Sequence, residues 1–551
     1  MYLALHPQLV DGIPVRWRIQ QLTADGSAVD AERLVDIDGL LAAERQQPRW
    51  LFDGVAAVYP ALLAAGVAVQ RCHDVRLTER ILLGRRGRFG EPSSAAAVLA
   101  RANGDAVPAD PDPPTTGGQP GLFDEHATGA ARVDQLLALT SALPDQLSRI
   151  GDDNALKLLV AAESASALAA AEMGFSGLPW DVDEHDRLLT TLLGARPAAG
   201  VRPSILAALA DRIVVEFGWP VNPDSPVDLR NAFRRLGFDL ESTRSWVLRD
   251  IDHPAVAPLL EYKELSRLYT ANGWNWIDEW VSDGRLHSEF LPGGVVSGRW
   301  ATRGGGGLQI PRAIRAAAMA KPGYRLVVAD AAQLEPRVLA AISQDRALQA
   351  LSTDEDLYAG LAADGFGGDR AKAKLAMLGA MYGQTSGEAG RLLATLRLRY
   401  PAAMGCVETA ARQGEAGGVV RSVLGRMSPP PSESWRSVVA AGGDGAGERR
   451  AREYARSWGR FTRNFVVQAS AADWAAVWLS SLRRELRSVA GAELVFFQHD
   501  ELVVHAPTEV AAQVAELTRQ TAEQARELVF PGSTLATPVR PLIVGNYAEA
   551  K

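Results

Sequence analysis

Tyr324-Arg-Leu-Val-Val-Ala-Asp330 is a short apolar run that ends in an acid, and it reads as a buried strand. A second such feature comes much later. Glu493-Leu-Val-Phe-Phe, then Gln498-His-Asp-Glu501, then Leu502-Val-Val-His505 reads as two short strands meeting at a polar tip. A carboxylate facing the inside of a sheet is costly unless it is paired or binds a cation. Asp330 and the pair Asp500-Glu501, brought together, would suit hard divalent ions, Mg²⁺ above all. Two metals held this way can clamp the attacking and leaving oxygens of an in-line phosphoryl transfer. The alternative is that each acid merely sits at a strand end facing solvent.

A helical segment, Ala371 to Tyr382, adds a third element. Arg370, Lys374, Leu378 and Tyr382 are four residues apart, so they share one slowly drifting helix face. Two cations, an apolar residue and an aromatic would suit a triphosphate followed by a sugar and base. A solvated ion-pair face beside a buried Leu/Tyr stripe is the other reading.

Composition narrows the class. The 551 residues carry 58 Lys and Arg against 65 Asp and Glu, a formal net charge of −7. That length suggests several domains or subdomains. The two cysteines, Cys72 and Cys406, exclude a disulfide framework and a cysteine-based zinc site. The mild acidity argues against wholesale nucleic-acid coating but allows basic groups along one cleft. No secretory signal is visible at the N-terminus. No window approaches the roughly 18 uncharged apolar residues of a membrane helix.

Residues 103–121 are dense in Pro, Gly and Asp and read as a disordered loop or linker. Gly442-Gly-Asp-Gly-Ala-Gly and Gly304-Gly-Gly-Gly307 are similar stretches. After about residue 130 the chain turns helical. Asn154 to Met173 is helix-like and stops near Gly177, and Pro254 to Thr270 repeats apolar residues at helical spacing.

Taken in order, these motifs resemble those of the family A DNA polymerases, the DNA polymerase I type. Tyr324 to Ala340, with Asp330-Ala-Ala-Gln-Leu-Glu-Pro-Arg, resembles motif A. Arg370-Ala-Lys-Ala-Lys374-Leu-Ala-Met-Leu378-Gly-Ala-Met-Tyr382-Gly383 is similar to motif B, and Gln498-His499-Asp500-Glu501 to motif C. Weaker blocks fall in the same order: His253-Pro with Tyr262-Lys-Glu-Leu, Gly284-Arg-Leu-His287, Gly298-Arg299, Leu308-Gln-Ile-Pro311, Gly425-Arg426 and Arg463 to Asp473. The resemblance runs from about residue 155 to the C-terminus.

It implies a multidomain α+β chain. A right-hand polymerase of palm, fingers and thumb would follow a shortened RNase H-like, exonuclease-type α/β domain. The expected divisions are 1-150 for the exonuclease-like part, 155-275 for the thumb and start of the polymerase, 276-330 and 457-551 for the palm, and 331-456 for the fingers.

It also implies roles. Asp330 and Asp500 would hold two Mg²⁺ ions (Mn²⁺ may substitute), with the Ala331 carbonyl as a further ligand and Glu501 in support. Arg370 and Lys374 would bind the triphosphate and stabilise the departing pyrophosphate. Glu335 would block a ribose 2′-OH. Gln333 would sit beside the incoming nucleotide, and Tyr382 near the template base. Arg299, Asn464, Gln468 and His499 would read the minor groove of the primer-template. Leu378 stands where the family has an aromatic residue, and Tyr358 where it has a His that contacts phosphates. Pro336 suits a first helical turn.

Trp50-Leu-Phe-Asp53, with Leu62 to Gly66 and His73-Asp74, resembles the middle of the 3′–5′ exonuclease fold, and Asp53 matches its second motif. The remaining proofreading ligands are missing. Asp30-Ala-Glu32 lies in polar sequence, no Tyr occurs between Tyr59 and Tyr262, and Ala130 stands four residues before Asp134. A degenerate, structural domain is therefore expected.

The implied reaction is template-directed attack of a primer 3′-OH on a deoxynucleoside triphosphate. Its partners would be primer-template DNA and nucleotides, with no membrane, in a cytoplasmic, nucleoid-associated monomer. The rival readings are a working 3′–5′ exonuclease and a non-catalytic primer-template scaffold.

Overall fold

The computed structural model describes every residue except 11–12, 112–133, 304–309, 353–355, 384–386, 442–444, 537 and 551. The two glycine-rich stretches and the 103–121 segment therefore fall partly or wholly outside the described residues.

Side chains alternate across a strand, and the first strands use this to face two cores. β1 (Tyr2–Val10) sends Leu3 and Leu5 to one side and Ala4 to the other. It pairs antiparallel with β2 (Ile13–Leu22), which pairs antiparallel with β3 (Arg33–Val35). On its other edge β1 runs parallel to β4 (Arg49–Phe52), and β4 runs parallel to β5 (Arg71–Asp74). The order is β3-β2-β1-β4-β5. Parallel neighbours need a crossover, supplied by the helices Ile37–Glu44 and Val55–Ala64. The expected N-terminal α/β layer is thus present.

Two helices cover one face of this sheet: α1 (Val75–Arg85), capped by Asp74, and α2 (Gln135–Ile150), capped by Asp134. Leu51, Val75, Leu139 and Leu143 meet there. Between them Glu79 is fully buried and held by Arg101 at 2.9 Å and by Arg149. Asp110 accepts from the Ser93 and Ser94 amides at 2.7–2.9 Å, so the described start of the 103–121 segment is fastened down.

The other face buries Trp17, Trp50 and Phe52 against Ala167 and Leu168 of α3 (Asn154–Ser176). Among the described residues α3 alone is long and apolar enough to cross a membrane, and 61% of its apolar window is buried inside the protein. Its two interior acids, Glu163 and Glu172, are paired with arginines. That pattern is a core helix shared by both halves of the molecule.

Past α3 the chain is mostly helical to α4 (Val256–Asn272). A second, four-stranded sheet follows. β6 (Tyr324–Asp330) pairs antiparallel with β8 (Glu501–Pro507), which pairs antiparallel with β7 (Glu493–Gln498); β9 (Leu542–Val544) closes the far edge. Leu326 to Ala329 are buried on both faces, as the uninterrupted apolar run requires. A long, mostly helical segment inserts between β6 and β7. It runs through α5 (Leu334–Ser343), α6 (Leu357–Gly365), α7 (Arg370–Tyr382) and α8 (Pro401–Glu415) into α9 (Gly445–Leu486). Pro336 sits in the first turn of α5, where its missing N–H costs nothing. α9 packs along α8, α3 and the final helix α10 (Ala511–Val529).

Candidate active site

The register of the four-stranded sheet sets the acids. Asp330 ends β6 directly opposite Glu501 at the start of β8. Asp500 precedes Glu501 in the tight turn, and its carbonyl accepts from the Ala331 amide at 2.9 Å. The turn is made possible by His499, whose φ of 57° places it in the left-handed region. Burial first, and the charge of Asp330 second, push the Asp500 carboxyl up to about 7. A divalent cation between the two acids would relieve both effects, and carboxylate and carbonyl oxygens are hard donors of the kind Mg²⁺ prefers. The donor chemistry of Asp330 and Asp500 therefore fits such an ion. Glu501 is different: it is 4% exposed and accepts the Tyr547 hydroxyl at 2.7 Å.

Beside the acids lies a cleft of about 230 Å³ lined by Arg299, Trp300, Glu335, Phe497, His499 and Asp500. Glu335, on the first turn of α5, accepts from the Arg299 guanidinium and from the Tyr382 hydroxyl at 2.7 Å. Gln468 lies near enough to the Tyr382 hydroxyl to offset part of the upward shift that burial and Glu335 impose on it. Burial, and then the Arg299 charge, hold the His499 ring below its ordinary value. His499 Nδ1 and Asn464 Oδ1 are buried with no hydrogen-bond partner among the described residues. Arg299, Glu335, Tyr382, Gln468 and His499 are thus brought together around this cleft.

A second cluster joins the start of α5 to α6 and α7. Asp356 caps α6, accepting from the Tyr358 and Ala359 amides at 3.0 and 3.2 Å. The same carboxylate accepts from Gln333 at 2.8 Å and from Arg370 at 2.7 Å. Gln333 in turn accepts from the Leu357 amide at 2.8 Å. Gln333 and Arg370, expected at the nucleotide, are here engaged with Asp356. Tyr358 is buried under the Arg370 guanidinium, 5.7 Å from its ring centroid. Lys374 is exposed one turn along α7, with no hydrogen bond or ion pair among the described residues. Leu378 is half-buried and packs on the main core.

Sequence reading overlooked Asp356. An Asp directly before the apolar run Leu357 to Leu361 is a helix N-cap signal, and it was available. It also gave no partner to Gly425-Arg426 or to Asp473, which form one buried cluster with Glu163.

The N-terminal acids are occupied by arginines. Asp53 accepts from Arg76 at 2.9 Å and from the Ala95 amide at 2.6 Å. Arg18 bridges Glu32 and Asp134, reaching Asp134 at 2.7 Å. Asp30 accepts from the Gln21 amide at 3.0 Å. Asp30-Ala-Glu32 lies in the loop before β3 and not on a strand.

The sequence model of DNA polymerase family A matches residues 204–536. The chain is 29% identical over 313 residues to DNA polymerase I of Deinococcus radiodurans, covering 52% of this chain and 31% of that protein. It is 28% identical over 417 residues to the thermostable DNA polymerase I of Thermus aquaticus, covering 65% of this chain and 48% of that one. The chain thus spans a third to a half of the length of these relatives. In fold it is similar to the POL domain of Pol1 from M. smegmatis, solved with DNA primer-template and dNTP. The TM-score is 0.73 at 19% identity, over 100% of this chain and 95% of that one.

Proposed function

The chain belongs to DNA polymerase family A, and from that premise we propose that it is a template-directed DNA polymerase that extends a primer 3′-OH with deoxynucleotides. One observation carries the reading: Asp330 and Asp500 meet at the tip of the palm sheet beside a cleft walled by Glu335, with Lys374 exposed on α7.

Asp330, Asp500 and the Ala331 carbonyl would hold Mg²⁺, with Mn²⁺ as a substitute. Bound there, the metal would acidify the primer hydroxyl and offset charge on the phosphates. Lys374 meets the triphosphate first, because it has no hydrogen bond or ion pair to give up among the described residues. Arg370 follows, keeping Nε on the Asp356 carboxylate while its terminal N–H groups turn to phosphate oxygens. Glu335 stands across the sugar position, so a 2′-OH meets a carboxylate already saturated by Arg299 and Tyr382. Tyr382 stays on Glu335, with its ring near the template base. Arg299, Asn464, Gln468 and His499 contact minor-groove acceptors through their N–H groups, and the buried His499 Nδ1, in its N–H tautomer, gains a partner there.

The N-terminal domain is read as non-nucleolytic. Guanidinium groups occupy Asp53, Glu32 and Asp134, and they supply the positive charge that metals would otherwise bring. The reading implies a cytoplasmic, nucleoid-associated monomer acting on primer-template DNA.

The test is a 5′-labelled primer-template incubated with Mg²⁺ and deoxy- or ribonucleotides, beside Asp500→Ala. Extension with deoxynucleotides that is lost in the variant is expected. Primer shortening without nucleotides would move the chemistry to the N-terminal domain. DNA binding with neither activity would favour a scaffold.

A further inference from the structure

Arg426 lies in the loop after α8 and is almost wholly inside the protein. Its guanidinium pairs with Glu163 of α3 and lies 3.5 Å from Asp473 of α9. Asp473 also accepts the Leu424 amide at 3.1 Å, which fixes the loop itself. A buried charge held by two acids from different helices has little freedom to move.

This immobile group touches the cleft. Gly298, immediately before Arg299, has φ 86°, and a Cβ added there would lie 2.5 Å from Arg426 Nε. Only glycine lets the loop pass so close in that conformation. The position of Arg426 therefore sets where Arg299 leaves the loop, and Arg299 holds Glu335.

The N-terminal domain stands behind the same group. Ser164, next to Glu163, accepts the Asp74 amide at 3.1 Å through its hydroxyl and the Cys72 thiol at 3.2 Å through its carbonyl. Arg85, at the end of α1, reaches the Gly425 carbonyl at 3.4 Å and Asp153 at 3.2 Å. Both sides of Arg426 are thus braced by the domain whose own acids are taken by arginines.

We propose that Arg426 is a positioning residue for the Arg299–Glu335 pair and that the N-terminal domain serves as its buttress, so that this domain tunes sugar selection without touching DNA. The proposal rests on the polymerase reading and names a part of that same site.

The experiment compares kcat and KM for a deoxynucleotide and its ribonucleotide in the full chain, Gly298→Ala, Arg426→Lys and Arg85→Ala. In Gly298→Ala the preference for deoxynucleotide falls about tenfold, the worth of one charge-assisted hydrogen bond, mainly through a lower KM for the ribonucleotide. Arg426→Lys keeps the charge but not the fork and falls between. Arg85→Ala, a surface change that leaves the core intact, moves the ratio the same way by about twofold, a few tenths of that hydrogen bond's worth. Circular dichroism confirms which variants are folded. Folded Gly298→Ala and Arg85→Ala with lower melting points but an unchanged ratio overturn the proposal. Failure of the unmodified chain to extend with either sugar overturns the polymerase reading and this one together.

Discussion

Asp330 and Glu501 face each other across two antiparallel strands, yet their carboxylates serve different neighbours. Glu501 is turned to the buried hydroxyl of Tyr547, 2.7 Å away. Asp330 acts on Asp500, whose carboxyl its charge helps to raise. Replacing Asp330 or Asp500 by Asn should cut primer extension by roughly 10²–10³-fold or more, as loss of a key electrostatic group does. Glu501→Gln keeps a hydrogen-bond acceptor for Tyr547 and should cost about tenfold or less. Single-turnover extension rates check this ranking, and an equal loss in all three would place Glu501 among the ligands.

Asp356 binds the palm to the fingers through Gln333, the first turn of α6 and Arg370. Asp356→Ala should remove about 1 kcal/mol of helix-cap stability and raise the nucleotide KM several-fold, because Gln333 and Arg370 lose their common anchor. Asp356→Asn keeps the acceptor and should lie between. Urea unfolding and steady-state kinetics read the two effects separately. An unchanged KM would mean that Arg370 does not need Asp356 for its placement.

His185 gives the polymerase half a pH-dependent stability. Its Nδ1 accepts from Trp180 at 3.2 Å and its Nε2 faces the Asn272 carbonyl at 3.1 Å, a pattern that only the neutral ring satisfies. Burial holds its pKa down at about 4 from 6.5. Below pH 6.5 the unfolded chain takes a proton that the folded chain refuses, so stability falls as pH falls. The contribution is full above 6.5 and gone below about 4, and it amounts to roughly 3 kcal/mol at most. His73 adds the same sign, while Asp74, raised to about 6, opposes it. Comparison with His185→Gln isolates the term: the stability difference should shrink between pH 7 and pH 5. A difference that stays constant would count against the neutral-ring account.

Asp53→Asn should not change nuclease activity, because none is expected from an acid already held by Arg76 and the Ala95 amide. It should lower the melting point, since Arg76, which is 18% exposed, keeps its charge without its partner. A labelled primer incubated with metal alone checks the first point and calorimetry the second. Shortening by the wild-type chain that stops in the variant would restore a nuclease role to Asp53.

The palm was legible because its signals are local. Tyr324 to Asp330 and Glu493 to His505 each carry their strand pattern and their acid within a few residues, and the helices starting at Asn154 and Arg370 carry their own period. What escaped was long-range pairing of charge. Glu163, Arg426 and Asp473 are 263 and 47 positions apart, and no period links them. Gln333 and Arg370 were assigned to a nucleotide, since sequence cannot show that Asp356 satisfies both in the free protein. Arg18 and Arg76 were invisible as partners for the same reason: a guanidinium on a long side chain reaches acids far along the chain.

α9 runs unbroken for 42 residues, about 63 Å at the α-helical rise. Asn464 and Gln468 lie on it, then Asp473, and then Arg483, which enters the N-terminal domain to bond Glu172 and the Val69 and Gln70 carbonyls at 2.6–2.9 Å. Anyone dividing this polypeptide into two complementing fragments must leave that rod whole. A cut between residues 468 and 483 would separate Asn464 and Gln468 from the anchor that fixes their angle, even if both pieces folded.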